Sequence, residues 1–507
     1  MSVLNQASPS TVLPDAAQAP RPSACPGLLR IVAARDGGIC RIKLPGGELS
    51  AVQAAVIVEA SARHAAGVIE LTNRANLQVR GVRSGQEEAL IAALVAAGLG
   101  PRAAADAADA SNERSQGAAQ APNLLPAAAA DDVRNVMISP AAGRDPFALF
   151  DTRPLCAELL TLLQSDARFA ALSPKFALLV DGGERLARLD HPHDVWLAAS
   201  QARDGVRFVF GMAGCPPAVA LTRADAARQN QRTGSDDSTQ HRRVDGTGAL
   251  AAVPPSQVPA LVRALLHTFL DLAAADATRM RHLLAAHSVD AVLQHAQTYV
   301  DFPLSRDTSL AAWHRAAPAD AARRLGAHAQ RVVGTSHVGG QPPLGRLDAA
   351  TLHALAALSR QQGNGTLHIT PWQSILLPDI AEHAVPAVLT ELNTLGLACD
   401  PTQAITRLIA CAGSQGCAKS LADTKADALL LATRLPEGVD VHLSGCPRSC
   451  AAAHCAPYTL LAVAPGTYDL YRRDDGHSGF GQCVAQQLTI EQAADMLGHL
   501  ARSPKDA

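Results

Sequence analysis

Aromatic residues are scarce in this 507-residue chain: Phe, Trp and Tyr together make up 3%. So few rings leave little with which to stack on bases or sugars, and stacking platforms are not expected to dominate recognition. A charge excess of either sign is also missing. Lys and Arg number 44 against 46 Asp and Glu, a formal charge of −2, whereas a nucleic-acid binder carries a basic surplus. No apolar run approaches the roughly 20 residues that cross a bilayer. Met1–Ala24 is polar and lacks the apolar stretch of an export signal. The expectation is a cytoplasmic chain with no membrane or nucleic-acid partner. No G-x-G-x-x-G follows a strand and opens a helix, so no nicotinamide site is expected.

What the chain does have is length and apolar content. At 48% hydrophobic residues it can fill several cores, and its length predicts three to four units. Two stretches read as linkers because neither could bury enough surface to offset its ordering. These are the Ala-rich residues 103–130 and the polar residues 226–248. Eleven cysteines, an odd number in a long chain, suit thiols or metal ligands better than a disulfide framework.

An internal repeat organises the rest. Slid by 298 positions, residues 49–99 fall on 347–397 without a gap: Leu49 meets Leu347, Gly67 meets Gly365, Thr72 meets Thr370 and Gly98 meets Gly396. Each copy reads as helix, β-rich segment with a polar centre, helix. Asp348 is a plausible N-cap, and Leu352, Leu355 and Leu358 follow at helical spacing. The polar centre is either a binding edge or a hairpin turn. After each copy comes an Arg, a short apolar strand and a small-residue loop, RNVMISPAAG (134–143) and RLIACAGSQG (407–416). Ile138 sits where the second half has Cys411. The chain therefore reads as two pseudo-symmetric halves, each a small α/β module followed by a larger one.

Four cysteines need a special explanation. Cys411 and Cys417 form C-x5-C, and Cys446 and Cys450 form C-x3-C. Two such pairs can supply one soft ligand to each iron of a [4Fe–4S] cubane. Small neighbours (Ala412, Gly413, Ser414, Gly416, Ser444, Gly445) let the backbone approach it. A structural zinc site is the rival, although zinc favours C-x2–4-C knuckles; plain buried thiols are the third reading.

These motifs, with the strings LTNRANLQVRG (71–81), RNVMISPAAGRDP (134–146), SPKFALLVDGG (173–183) and HPHDVWLA (191–198), resemble the sirohaem-dependent sulfite and nitrite reductase superfamily. Within it, CPGLLRI (25–31) and LHITPWQSILLPDI (367–380) look like the precorrin-3B synthase family. The resemblance covers nearly the whole chain apart from the N-terminus and the two insertions. It implies an α+β, pseudo-twofold duplicated fold of two ferredoxin-like half-domains and two larger α/β modules. The expected division is a disordered 1–24, half-domain 25–102, linker 103–130, cluster-free module 131–330, half-domain 331–402 and iron–sulfur module 403–507.

For function, the resemblance implies oxygen-dependent hydroxylation and lactone formation on precorrin-3A in aerobic cobalamin biosynthesis. It also implies a [4Fe–4S] cluster held by Cys411, Cys417, Cys446 and Cys450, Cys450 being the cysteine that bridges cluster and sirohaem iron in the reductases. The alternative is a sirohaem-dependent sulfite or nitrite reductase, and an electron-transfer or tetrapyrrole-carrying protein is a third reading. Arg74, Arg80, Arg134, Arg144 and Lys175 are the candidates to clamp substrate carboxylates, since guanidinium groups bind them bidentately; some could instead pair with neighbouring Asp residues. Trp372, the repeat mate of Arg74, and Gln373 are candidates for the tetrapyrrole face, with core packing the other reading of Trp372. Many of the reductases carry a second pocket lysine where this chain has Ala177. The resemblance further implies a non-haem iron, for which His191 and His193 are candidates and His454 another. An external reductase or ferredoxin-type donor, with NADH as the ultimate source, and a monomeric state complete the expectation.

Overall fold

The computed structural model describes residues 25–101, 125–217, 247–452, 456–474 and 479–502. The expected disordered N-terminus, almost all of the polar insertion, most of the Ala-rich linker and His454 lie outside them.

In the first half, β1 (Val32–Ala34), β2 (Gly37–Ile42) and β3 (Glu48–Ser50) lead into helix α1 (Ala51–His64). The helix starts there because Ser50 and Gln53 form a reciprocal capping box, at 3.1 and 3.2 Å. An antiparallel pair, β4 (Val68–Leu71) and β5 (Leu77–Val82), and helix α2 (Glu87–Ala96) follow. The polar centre of the repeat is thus a hairpin turn, Thr72–Asn76, rather than an interrupted strand. The next module holds β6 (Val136–Met137), β7 (Leu178–Asp181), β8 (His193–Ala202), β9 (Gly205–Gly214) and β10 (Ala251–Val253). The helix Ala127–Val133 already belongs to it, burying Ala129 and Ala130, so the folded module begins inside the stretch read as linker.

The second half repeats the pattern. Strands β11 (Gly326–Ala329), β12 (Thr335–Gly340) and β13 (Arg346–Asp348) precede the helix Ala349–Gln362, capped by Asp348 accepting from Thr351 N–H at 2.7 Å. Then come β14 (Thr366–Ile369), β15 (Ile375–Ala381) and the helix Val385–Thr394. β11 starts at Gly326, ahead of the expected boundary at 331. The last module contains β16 (Leu408–Ala410), β17 (Val441–Ser444), β18 (Tyr458–Ala464), β19 (Thr467–Arg472) and β20 (Gln482–Leu488).

The half-domains are not separate bodies. β13 pairs with β4, and β3 pairs with β14, so each sheet borrows one short strand from the other copy. Their helices and strands share one core, in which Leu49, Ile57 and Val79 join Leu347, Leu355 and Leu377. Each large module has its own core and a five-stranded sheet of the same pattern. In both, three parallel strands are followed by two antiparallel ones. Loops at the carboxyl ends of those parallel strands are the usual place for a site.

Candidate functional site

Cys411 follows β16 directly, and Cys446 lies two residues beyond β17, so both pairs start at the carboxyl end of the parallel strands. Backbone N–H of Gly445 donates to Cys411 Sγ at 3.3 Å, and Thr424 Oγ1 lies 3.3 Å from the same sulfur. Cys417 closes the turn Gly413–Gly416, its N–H bonded to Gly413 O at 2.9 Å. None of the four is in a disulfide; Cys450 is exposed and the others half-buried. Burial, and then the charges of Cys446, Cys411 and Cys417, raise the Cys450 pKa. The corresponding loop of the first module follows β6 with buried Ile138 and has no sulfur.

Cationic side chains cluster beside this loop. The turn Thr72–Asn76 reaches both large modules: Asn73 Nδ2 donates to Ala451 O at 3.3 Å, and Arg74 Nη2 to Lys175 O at 3.4 Å. Burial lowers the Arg74 pKa to about 10, helped by Arg279 and Arg41. Arg41 is held by the Gln78 amide oxygen at 2.6 and 3.1 Å. Burial lowers its pKa while the Cys25 and Cys450 sulfurs oppose that shift. Lys43 donates to Asp132 O at 2.7 Å. Desolvation, with Arg134 and Arg74 adding and Asp131 and Asp132 opposing, brings its pKa to about 7. Arg279 pairs with Asp194 at 2.9 Å.

Arg41, Lys43 and Arg279 escaped sequence reasoning. Two basic residues at i and i+2 of an extended segment share one face, and that alternation in RIKLPGG was the available signal. Nothing local marks Arg279.

The other expected cations are committed elsewhere. Arg134 donates to Gly100 O, Leu99 O and Asp131 at 3.1, 3.0 and 2.9 Å. Arg80 binds Asp36, Glu70 and Gly416 O. Arg144 pairs with Asp379 at 3.2 Å, leaving its buried Nη1 without a partner among the described residues. Only Arg74 and the exposed Lys175 of the expected set stay open to a ligand.

Trp372 packs on Ala141, Leu186 and Leu376, with the Arg188 guanidinium 5.3 Å from its ring centre; this is interface packing, the other reading of that residue. Gln373 adopts φ 61° and donates to Leu71 O at 3.1 Å, tying one hairpin to the other. Ala177 is buried, and its N–H goes to Asp194 at 2.9 Å.

His191 and His193 are buried with ring centres 5.0 Å apart. Burial first, then His191, Arg74 and Arg279, hold the His193 pKa well below its usual value, which keeps the imidazole neutral as a metal requires. The adjacent Asp194, however, is taken up by Arg279 and two backbone N–H groups. Among the described residues no group of three His, Cys, Asp or Glu side chains is poised for a single metal ion. That geometry suits neither a mononuclear iron at the histidines nor a zinc knuckle at the cysteines. A cubane asks instead for one soft ligand per iron, and the loop supplies four free cysteines.

Comparison with known proteins gives the same architecture. The nitrite/sulfite reductase ferredoxin-like half domain matches residues 33–97 and 328–395, and the nitrite and sulphite reductase 4Fe-4S domain matches 129–304. The chain is built of nitrite/sulfite reductase domains. Within this superfamily, a chloroplastic ferredoxin–nitrite reductase of Oryza sativa is 27% identical over 82% of this chain, which spans 64% of that protein's length. A precorrin-3B synthase from Sinorhizobium sp is 28% identical over 96% of this chain and 90% of the relative. The solved structure of Mycobacterium tuberculosis NirA superposes with a TM-score of 0.66 over 93% of this chain and 82% of its own, at 20% identity, a likeness of fold. The matched 4Fe-4S domain is the first large module, the copy that lacks the cysteines. Among the described residues no helix is long and apolar enough to cross a membrane.

Proposed function

We infer that this nitrite/sulfite reductase-fold chain is a precorrin-3B synthase. It would hydroxylate precorrin-3A at C20 with dioxygen and close the ring-A acetate to a lactone. The observation that carries the reading is the end-to-end correspondence with the Sinorhizobium relative of that name; the rice reductase aligns with less of this chain and of itself.

The pocket supports this reading. A tetrapyrrole bearing many carboxylates needs cations from several directions, and Arg41, Lys43, Arg74, Lys175 and Arg279 provide them from four separate stretches of chain. Arg74 can meet a carboxylate with two parallel N–H bonds. Lys43 Nζ, with a pKa of about 7, can hold or release a proton near neutral pH. Ala177 in place of a second pocket lysine removes a proton donor that six-electron reduction of sulfite or nitrite would call on.

One oxygen atom of dioxygen enters the product and the other leaves as water, so two electrons and two protons must come from outside. When bound, a [4Fe–4S] cluster on Cys411, Cys417, Cys446 and Cys450 would deliver those electrons singly from an external donor. The non-haem iron that the family implies has no ready ligand set among the described residues, and no step is assigned to it.

Anaerobic purification followed by iron and acid-labile sulfide analysis, a visible spectrum and turnover of precorrin-3A under ¹⁸O-labelled dioxygen tests the reading. The expected result is a broad iron–sulfur shoulder and product carrying one labelled oxygen atom. A strong sirohaem Soret and α band without oxygen-dependent turnover would instead establish the sulfite or nitrite reductase alternative.

A further inference from the structure

Behind the cysteine loop lies a buried ion network that the reaction itself does not use. Arg80, on β5 below the Arg74 turn, binds Asp36 through two N–H groups at 2.8 Å and Glu70 at 3.3 Å. Its Nη2 also donates to Gly416 O at 2.9 Å, the carbonyl just before Cys417. Glu70 in turn accepts from Arg346 at 2.8 and 3.1 Å and lies 3.7 Å from Lys425 Nζ. Lys425 donates to Leu344 O at 2.9 Å. It follows Thr424, whose hydroxyl bonds Cys411 O at 3.0 Å and touches its sulfur.

The network joins the first half-domain, the exchanged strand β13 and the last module. It holds three cations (Arg80, Arg346, Lys425) against two carboxylates (Asp36, Glu70). The Arg80 and Lys425 side chains are 3% and 11% exposed, so water and salt screen them little.

We propose that this network sets the reduction potential of the cluster, with Lys425 and Arg80 placing buried positive charge against the Cys411 and Cys417 side of the site. Reduction by an external one-electron donor adds one negative charge to the cluster. A nearby cation in a weakly polar interior stabilises that charge, and a nearby carboxylate opposes it. Neither Lys425 nor Arg80 touches a reacting atom; both act through the charge they hold in place.

The inference rests on the cluster being held by the four cysteines. The test is therefore read in two stages, both on the full chain purified anaerobically. Wild-type protein that contains no iron or acid-labile sulfide removes the cluster itself, and this inference with it. With the cluster present, its midpoint is followed by electron paramagnetic resonance during titration with dithionite and mediators.

Lys425→Met is expected to shift the midpoint negative and Glu70→Gln to shift it positive. Each shift should reach at least a tenfold change in the oxidised-to-reduced ratio at fixed ambient potential, which is 59 mV for a one-electron couple. Lys425→Arg keeps the charge and should stay at the wild-type midpoint, which covers the case in which Met at this position impairs folding. Shifts of the same sign in Lys425→Met and Glu70→Gln, or none in either, would mark the network as structural only and overturn the proposal while leaving the cluster reading intact.

Discussion

Replacing Arg74 by Met should cost ligand affinity and spare the fold, whereas replacing Arg134 by Met should do the reverse. The two arginines look equivalent in sequence, but their surroundings differ. Arg74 makes one long bond to a carbonyl, at 3.4 Å, and sits among like charges that lower its pKa to about 10. Its removal relieves repulsion in the ligand-free protein and takes away an unspent bidentate group. A hydrogen bond to a charged partner contributes about 1.5–3 kcal/mol, so affinity for a carboxylate-rich tetrapyrrole should fall roughly ten- to a hundredfold. Arg134 instead makes three bonds at 3.1 Å or less, one of them to Asp131, whose side chain is 2% exposed. Loss of that partner leaves the buried carboxylate its bond from Leu28 N–H at 2.8 Å but takes away its paired charge, at a cost of about 3–5 kcal/mol. Sirohydrochlorin, an accessible tetrapyrrole with the same kind of carboxylate periphery, can report the first effect by absorbance titration. Urea unfolding reports the second. Unchanged sirohydrochlorin affinity in Arg74→Met, with normal stability, would take Arg74 out of the pocket and refute the reasoning.

Other outcomes follow from the same structure. Burial and neighbouring Asp181 raise the Glu184 pKa to about 8. An acid raised above its unfolded value of 4.5 contributes stability that is full below that value and is lost as pH rises toward 8. Glu184→Gln should therefore gain on wild type between about pH 5 and 8 in urea unfolding; a constant difference between the two across that range would contradict a neutral buried carboxyl. Cys446→Ser should lose acid-labile sulfide and the visible shoulder while far-ultraviolet circular dichroism stays intact, and a retained cluster would assign the ligand elsewhere. Gly47 has φ 75°, and an added Cβ would stand 2.2 Å from Ile369 O. Gly47→Ala should accordingly lower stability by at least about 1–3 kcal/mol, and a wild-type urea midpoint would show that the two half-domains can separate there at little cost.

Much of the architecture was legible because repetition is a sequence property. The offset between copies seen in residues 49–99 is the offset between α1 and the helix Ala349–Gln362, and between β4 and β14. Punctuation carried the rest: Asp348 caps its helix as its position suggested. The polar centre of each copy stayed open between two readings, of which the hairpin is the one found. Periodicity alone does not separate one strand with a polar middle from two short strands around a tight turn. The exchange of β3 and β13 was invisible because strands of three residues carry no pattern, and their pairing is set by the other copy.

The sequence by itself determined the duplication, the four thiols grouped in two pairs, and the chemistry those thiols can support. Residue type and spacing suffice for this, since soft ligands in close pairs have few other uses. Tertiary structure decided which cations are open. Arg74, Arg80, Arg134 and Arg144 share one chemistry, and burial beside a particular carbonyl or carboxylate spends three of them on the fold. Such partners come from distant parts of the chain: Gly416 for Arg80, Asp379 for Arg144. The same long-range packing brings Arg41, Lys43 and Arg279 around Arg74, because a site is defined by what surrounds a space, and no local stretch of sequence records that.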